Sequence, residues 1–122
     1  MKHIKFHTAD TYEPQPHWKR VSLCAEPSVS IEWFEKPDAH ASPMHDHPSD
    51  QVTIVLQGRM RVWTEDGQEA VLEAGDAAYI PGHQRHAIEN ARKEPSIGID
   101  VFAPGRSFDF WLKRLKQDGA AS

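Results

Sequence analysis

The sequence predicts an all-β domain, a sandwich or closed barrel of short strands with one short helix near its C-terminal end. Short apolar and β-branched runs recur between Ser30 and Phe102, and turn signals separate them at spacings of roughly 8 to 12 residues. Beyond residue 106 the apolar side chains instead recur at helical spacing. The chain has 122 residues and 39% hydrophobic content, which suits one domain with a single core.

The N-terminal third carries the weakest pattern. Residues 11–20 (TYEPQPHWKR) contain two prolines and no clear period, which indicates an extended arm. Two short strands are expected on either side of Pro27, the second over 30–35, and a proline-containing loop follows over 36–44. The single domain, 1–122, is therefore predicted to comprise an arm and first strand over 1–29, a barrel over 30–103 and a helix over 107–118.

The remaining strands are predicted from apolar runs and from the turns between them. Residues 51–57 (QVTIVLQ) are apolar on both alternating faces, so this strand is expected to be buried on both sides. Asp66-Gly67 predicts a hairpin between 59–65 and 68–73. Further strands are expected over 77–80, 86–89 and 96–102. Ser107 is the predicted cap of the helix, whose apolar side chains are Phe108, Trp111, Leu112 and Leu115.

Composition and charge exclude several classes of function. No apolar run approaches the roughly 20 residues that a membrane-spanning helix needs. The N-terminus lacks the apolar segment of a secretory signal, and the lone Cys24 suits a reducing compartment, so a cytoplasmic location is expected. The net charge is -4 and no Lys/Arg cluster forms a basic stripe, so nucleic acid is not an expected partner.

Four of the eight histidines form two tight pairs, His45/His47 and His83/His86. Side chains at i and i+2 of an extended segment share a face, so His45 and His47 are expected to project together, with Gln51 beside them if the strand continues without a bulge. His86 opens a strand that would supply a third imidazole, whereas His83 lies in the preceding turn and is the weaker candidate. A His-x-His pair alone is more often a solvated surface feature. Imidazole ligands suit Zn, Cu, Fe and Ni alike.

The two histidine segments resemble the two motifs of the cupin superfamily. His45-Asp46-His47, three residues, Gln51, six residues and Gly58 are similar to the first motif. Gly75, Pro81, His86 and Asn90 are similar to the second, although Gly82 lies one place earlier than the motif glycine. The resemblance implies a small double-stranded β-barrel, a jelly roll, that often dimerises.

The resemblance also implies a metal site formed by His45, His47, Gln51 and His86. It would hold one divalent transition metal, with Ni, Fe, Mn, Zn and Cu not distinguished. Gln51 stands where the family usually has Glu, and a neutral amide leaves the ion its whole charge, which strengthens it as a Lewis acid toward an anionic ligand. The alternative is that Gln51 only borders the cavity beside a three-histidine site.

The last predicted strand carries a second set of candidate residues. Gly98, Asp100 and Phe102 share one face of SIGIDVF; a carboxylate there makes sense facing a cavity, where Gly98 leaves room for a ligand and Asp100 moves a proton. Arg106 follows a Pro-Gly turn, and an arginine there can hold a carboxylate bidentately. The alternatives are an edge carboxylate in water and an exposed loop charge.

The segments HDHPSDQVTIVLQGRMRV and IDVFAPGRSFDF resemble the small pectin-degradation cupins that linearise 4,5-unsaturated monouronates from pectin and alginate. That resemblance implies a catalytic Asp100, substrate contacts by Arg106 and Phe102, and a carboxylated sugar as the small-molecule substrate. A metal-dependent dioxygenase, a non-catalytic sensor of sugar acids and a storage or structural barrel are the alternatives. A homodimer is expected to cover strand 52–56 and the helix around Trp111, unless the helix covers its own barrel.

Overall fold

A computed structural model describes residues 1–114 of the chain, which form nine β-strands and one short C-terminal helix. The helix runs from residue 109 to residue 114, the last one described. The predominance of strands confirms the all-β prediction. The strands are β1 (Thr11–Gln15), β2 (Trp18–Ala25), β3 (Ser30–Lys36), β4 (Asp50–Gln57), β5 (Arg59–Thr64), β6 (Glu69–Glu73), β7 (Ala77–Ile80), β8 (His86–Asn90) and β9 (Ser96–Ala103).

The strands are arranged in two antiparallel sheets. One has six strands in the order β1-β2-β3-β9-β4-β7, and the other has three in the order β6-β5-β8. β9 lies between β3 and β4, so strands that are far apart in the sequence become direct neighbours. A core cluster packs between the sheets and consists of Phe34, Val55, Met60, Val62, Leu72, Ile80 and Ile88.

The expectation of an extended arm over 11–20 is wrong, because this region forms β1 and the start of β2. The two strands pair with each other across a turn in which His17 has a φ of 67°. Pro14 lies on the edge strand β1 and Pro16 lies in the turn. Proline is tolerated at both places because neither requires a backbone N–H donor. The N-terminal hairpin therefore extends the large sheet.

Gly98 serves packing rather than ligand access, contrary to the expectation from the sequence. Gly98 is paired with Phe34 on β3 and with Val55 on β4. A Cβ atom at Gly98 would lie 2.7 Å from Cζ of Phe34 and 3.0 Å from the carbonyl oxygen of Ile54. The missing side chain makes room for the phenyl ring of the core.

The expectation that β4 is buried on both sides is also wrong. Its inward residues, Gln51, Thr53 and Val55, are buried, but Val52 and Ile54 on the outer face are only half-buried. Leu56 is 48% exposed, and Tyr79 on the neighbouring β7 is 58% exposed. The six-stranded sheet thus presents an apolar outer face that the described chain leaves partly uncovered.

The C-terminal helix packs on its own barrel, which is the alternative that the sequence left open. The side chains of Phe108 and Trp111 are buried and contact Tyr12 and Phe102. The Asp109 amide donates to Oγ of Ser107 at 3.2 Å, as expected for a helix cap. The helix begins two residues later than predicted, and the predicted positions 115–118, including Leu115, lie outside the described residues. Among residues 1–114, no helix is long and apolar enough to span a membrane.

We expect Trp111→Ala to lower the free energy of unfolding by about 3 to 5 kcal/mol, because it removes a buried indole from the cluster under the helix. The measurement is urea unfolding in the presence of a chelator, so that metal binding does not mask the loss. Val71→Ala, at a position that is 51% exposed, is the control and should change stability by less than about 0.5 kcal/mol. A loss below about 1 kcal/mol for Trp111→Ala would contradict this packing.

Candidate metal centre

Three histidine side chains converge at the inner face of the barrel. His45 and His86 form an isolated antiparallel bridge, in which each backbone amide donates to the other's carbonyl at 3.0 Å and 2.9 Å. The ring centroids of His45 and His86 are 4.4 Å apart, and that of His47 lies 5.7 Å and 5.1 Å from them. One ring nitrogen from each of the three residues lies within 4.8 Å of the others. The two histidine segments predicted to meet do so.

The first histidine segment is held by a turn rather than by a continuous strand. β4 begins only at Asp50, and the chain bends at Pro48 and Ser49. The amide of Gly82 donates to Oδ1 of Asp50 at 2.8 Å, and a Cβ at Gly82 would lie 2.3 Å from the Pro48 carbonyl oxygen. Position 82 therefore requires glycine, although it lies one place earlier than the glycine of the family motif.

His83 is not part of the histidine group. Its amide donates to the carbonyl of His47 at 2.8 Å, and its backbone has a φ of 68°. The side chain is exposed. This residue fixes the position of His47 through its backbone, in agreement with its weak standing as a ligand candidate.

The tautomer of each histidine follows from its hydrogen bonds. Nδ1 of His45 lies 2.8 Å from the carbonyl oxygen of Pro43, Nδ1 of His47 lies 2.9 Å from that of Ser49, and Nδ1 of His86 lies 2.8 Å from that of Gln84. A carbonyl oxygen can only accept, so each Nδ1 carries the proton and donates it. Each neutral ring therefore presents the lone pair of Nε2, the arrangement typical of metal-ligating histidines.

Gln51 points its amide oxygen into the same group. Its Oε1 lies 2.9 Å from Nε2 of His47 and 3.2 Å from Nε2 of His86. Its Nε2 donates to Oγ1 of Thr53 at 2.9 Å, and that hydroxyl donates to Oδ1 of Asp100 at 2.6 Å. Thr53 thus sets which end of the amide faces the histidines.

This donor set fits a divalent transition metal. In the tautomers above, the facing Nε2 and Oε1 atoms are all acceptors, and such a convergence of lone pairs suits a cation. Burial lowers the pKa of His45 to about 4 and also lowers the pKa values of His47 and His86. Because burial disfavours the imidazolium, the rings stay in the form that binds metals.

A cavity of about 350 Å³ opens from the histidines toward β2 and β3. Asp100 faces it between Glu32 and Thr53, its partners on the two neighbouring strands. Burial raises the pKa values of both carboxyl groups, and Nη1 of Arg20 donates to Oε1 of Glu32 at 2.8 Å. Asp100 therefore lies in a charged cavity wall and is not an edge carboxylate in water.

Arg106 also lines the cavity rather than a solvent-exposed loop. Its backbone N–H donates to Oγ of Ser30 at 2.9 Å, and the same hydroxyl donates to the carbonyl of Arg106 at 3.0 Å. Its guanidinium lies 4.3 Å from the ring centroid of Phe110 and 5.6 Å from that of Phe102. Two backbone contacts and two aromatic faces thus orient the side chain.

Phe102 does not contact the cavity, contrary to the expectation that it binds substrate. It is 1% exposed and is not among the residues that line the cavity. Its ring packs edge-on against His47, with centroids 5.4 Å apart, and against Phe108. Phe102 therefore packs against the ring of His47 and the guanidinium of Arg106.

Several charged and aromatic residues of the cavity wall were not predicted from the sequence. The alternation of Ser30, Glu32, Phe34 and Lys36 along β3 was the available signal, because a period of two places these side chains on one face. The interpretation of 11–20 as an arm concealed the contribution of β2. The missed residues are Trp18, Arg20, Glu32, Lys36 and His40.

Comparison with known proteins agrees with this fold. Residues 33–102 match the Cupin domain family, more than half of the chain, and the chain therefore belongs to the cupin family. KdgF from Halomonas sp. superposes with a TM-score of 0.76 at 26% identity, over 90% of this chain and 98% of that one. An RmlC-like cupin from Shewanella frigidimarina NCIMB 400 superposes with a TM-score of 0.76 at 27% identity, over 90% and 96%.

A curated relative matches over a shorter region. Oxalate decarboxylase OxdC from Bacillus subtilis (strain 168) is 30% identical over 83 residues, which is 61% of this chain. The matched part is only 22% of the length of that enzyme. The match supports membership of the cupin family, and it does not extend to the remainder of the larger enzyme.

We expect the purified protein to bind one divalent transition metal, and Thr53→Val to weaken that binding roughly 10- to 100-fold, because the hydroxyl orients the amide of Gln51. Competition with a chromophoric chelator measures the affinity. Thr8→Val, on the exposed N-terminal segment, is the matched control and should bind as tightly as wild type. Equal affinities for Thr53→Val and wild type would show that this orientation does not matter.

Proposed function

We propose that the protein is a metal-dependent cupin enzyme that linearises 4,5-unsaturated monouronates released from pectin or alginate. The observation that carries this proposal is the chain of side chains from Gln51 through Thr53 to Asp100, which joins the candidate metal centre to a carboxyl group in one cavity with Arg106. The resemblance of the two sequence segments to monouronate-linearising cupins and the likeness to KdgF support it.

The proposed reaction is an isomerisation that opens a sugar ring. The hydroxyl on C1 loses its proton, the C1–O5 bond breaks as C1 becomes a carbonyl, and the electron pair moves to O5. The resulting enolate gains a proton at C4, and C5 becomes a ketone. The atoms balance without an oxidant, a reductant or water.

The residues of the chain have separate roles in this proposal. Arg106 binds the substrate carboxylate, and its aromatic supports restrict its motion. Asp100 moves a proton at C4. His45, His47, His86 and Gln51 would hold a divalent transition metal, which, when bound, supplies Lewis-acid stabilisation of the charge that develops on the ring oxygen. Because these four groups are neutral, they do not reduce the charge available for that purpose.

Two other functions are outcomes of the same test. A metal-dependent dioxygenase is the main alternative, because three imidazoles with a weak fourth ligand also suit Fe, Ni or Cu. Oxygen consumption with flavonol or diketone substrates, without consumption of the uronate, would favour it. Tight binding of sugar acids without turnover would favour a non-catalytic binding protein. A cytoplasmic location stays a prediction of the sequence.

We expect the metal-loaded protein to accelerate the loss of ultraviolet absorbance of unsaturated monouronates prepared with a pectin or alginate lyase. Asp100→Asn should lower kcat roughly 100- to 10,000-fold, because it removes the proton carrier while keeping the shape of the side chain. Metal content should be measured for both proteins, so that a lost metal is not mistaken for a lost proton carrier.

Asp38→Asn, at an exposed loop position, is the matched control and should keep the wild-type rate. No acceleration over buffer by the metal-loaded wild type would overturn the proposed function. Full activity of Asp100→Asn would leave the reaction in place and remove Asp100 from the proton-transfer step.

We also propose that a second copy of the chain covers the apolar outer face of the large sheet. The strand register aligns Tyr79, Val52, Val101 and Ile31 in a row across β7, β4, β9 and β3. The helix around Trp111 is not part of this face, because it packs on its own barrel. An apolar row of this kind on a twofold-related copy is self-complementary.

We expect wild type to sediment as a dimer, and the double substitution Leu56→Lys with Tyr79→Lys to sediment as a monomer, because it places two charges on this face. Val71→Lys is the control, since Val71 is similarly exposed on β6 of the other sheet, and it should leave the dimer intact. A monomeric wild type, or a dimer that tolerates both lysines, would contradict the proposed interface.

A further inference from the structure

Lys36 is a buried lysine at the wall of the cavity that holds the proposed active site. It is the last inward residue of β3, on the same face as Ser30 and Glu32. Only 6% of its surface is exposed, and it lines the same cavity as Asp100 and Arg106. Ser30, at the start of β3, is level with Phe102 and Gln51 across the sheet, and Lys36 lies six residues further along the strand. Lys36 therefore approaches the cavity from the end opposite the candidate metal centre.

The amine of Lys36 has few partners. Within residues 1–114, its one side-chain hydrogen bond is to Nδ1 of His40, at 3.4 Å, and it forms no ion pair with a carboxylate. Of the two carboxyl groups whose charges act on the amine, Glu32 is paired with Arg20 and Asp100 accepts a hydrogen bond from Thr53. A lysine amine has two or three N–H groups, so this side chain keeps hydrogen-bonding capacity for a molecule in the cavity. Burying a charged amine without such a partner is costly.

His40 orients the amine of Lys36 through their hydrogen bond. Its ring packs on the indole of Trp18 with centroids 4.7 Å apart, and its carbonyl accepts a hydrogen bond from the Asn90 amide at 2.9 Å. Burial, together with the charges of Lys36 and Arg20, lowers the pKa of His40 to about 4. The ring is therefore neutral near pH 7, and its Nδ1 can accept from Nζ of Lys36.

The charged groups around Lys36 come from every element that packs against it. The charged ones are Arg20 on β2, Glu32 on β3 and Asp100 on β9, with Arg106 and Arg114 also lining the cavity; the neutral His40 lies in the loop that follows β3. Burial and the charge of Arg20 lower the pKa of Lys36 to about 8, while Asp100 and Glu32 act in the opposite direction. A lysine in this environment exchanges protons near neutral pH, as a catalytic amine must.

We propose that Lys36 is a second proton-transferring residue of this cavity: its Nζ contacts the C1 hydroxyl of the bound sugar acid and accepts the proton of that hydroxyl. This inference rests on the proposed function. The proton leaves O1 for Nζ, the O1 lone pair forms the carbonyl, and the C1–O5 bond gives its electron pair to O5. Asp100 delivers the proton to C4, and the two residues return to their starting states by exchanging protons with solvent. Lys36 thus accepts the proton of the C1 hydroxyl, and Asp100 donates a proton at C4.

The contact is tested without relying on turnover. Metal-loaded wild type is acylated with a trace of acetic anhydride, with and without D-galacturonate, a saturated uronate that cannot react, and the acylation of each lysine is measured by mass spectrometry of peptides. We expect galacturonate to slow the acylation of Lys36 at least about fivefold and to leave that of the exposed Lys93 unchanged. Equal rates with and without saturating galacturonate would overturn the proposal.

The proton transfer is tested by the pH dependence of kcat. In wild type, the pH profile of kcat should contain an ionisation with a midpoint of about 8, that of the Lys36 amine, in addition to that of Asp100, which must be protonated to deliver its proton. Lys36→Met keeps the length and apolar stem of the side chain; it should lower kcat roughly 100-fold and remove the ionisation near pH 8, with unchanged metal content and thermal stability. A residue that only supported the wall would lower kcat without altering the pH profile.

Lys93→Met is the matched control and should keep the wild-type rate and profile. A Lys36→Met enzyme with the wild-type kcat and profile would overturn the proposal while the proposed function stands. A wild type that turns over no unsaturated uronate, but whose Lys36 is protected by galacturonate, would overturn the proposed function and retain Lys36 as a contact for sugar acids.

Discussion

The candidate metal centre depends on three hydrogen bonds that tie the Nδ1 protons of His45, His47 and His86 to backbone carbonyls. Each bond selects one tautomer and turns one lone pair inward, so the three rings converge as acceptors. Each carbonyl lies two residues from its histidine, so the loop and turn backbone set the chemistry of the side chains. Gly82 and His83 contact that backbone at Pro48 and His47, so the turn before β8 helps to fix the positions of the histidine rings.

β9 connects this centre to the rest of the cavity. It lies between β3 and β4, and its inward residues have different contacts. Phe102 packs against His47, Asp100 faces the cavity, and Gly98 leaves room for the ring of Phe34. Thr53 on the neighbouring β4 accepts a hydrogen bond from the amide of Gln51 and donates one to the carboxyl group of Asp100. β4 and β9 therefore link the candidate metal centre to the carboxyl group of Asp100 in the cavity.

The cavity wall balances buried charges against one another. Arg20 neutralises Glu32 by a direct ion pair, whereas the one side-chain hydrogen bond of Lys36 within residues 1–114 is to the neutral imidazole of His40. Burial acts in opposite directions on the two types of group: it raises the pKa values of Glu32 and Asp100 and lowers that of Lys36. The cavity thus contains acids and a base whose pKa values have moved toward neutrality, a pattern typical of sites that transfer protons.

The sequence by itself determined the all-β class, the two histidine segments that meet, and the inward face of β9, because strand alternation and motif spacing are local properties. It did not determine the N-terminal hairpin, since the two prolines of TYEPQPHWKR suppress the strand signal while the edge of the sheet tolerates them. It also misassigned Gly98 and Phe102, whose roles depend on which side chains face them across the sheet. The positions of Arg20, Lys36 and His40 at the cavity depend on tertiary structure, because β3, which pairs with β2, also pairs with β9, whose residues are distant in the chain.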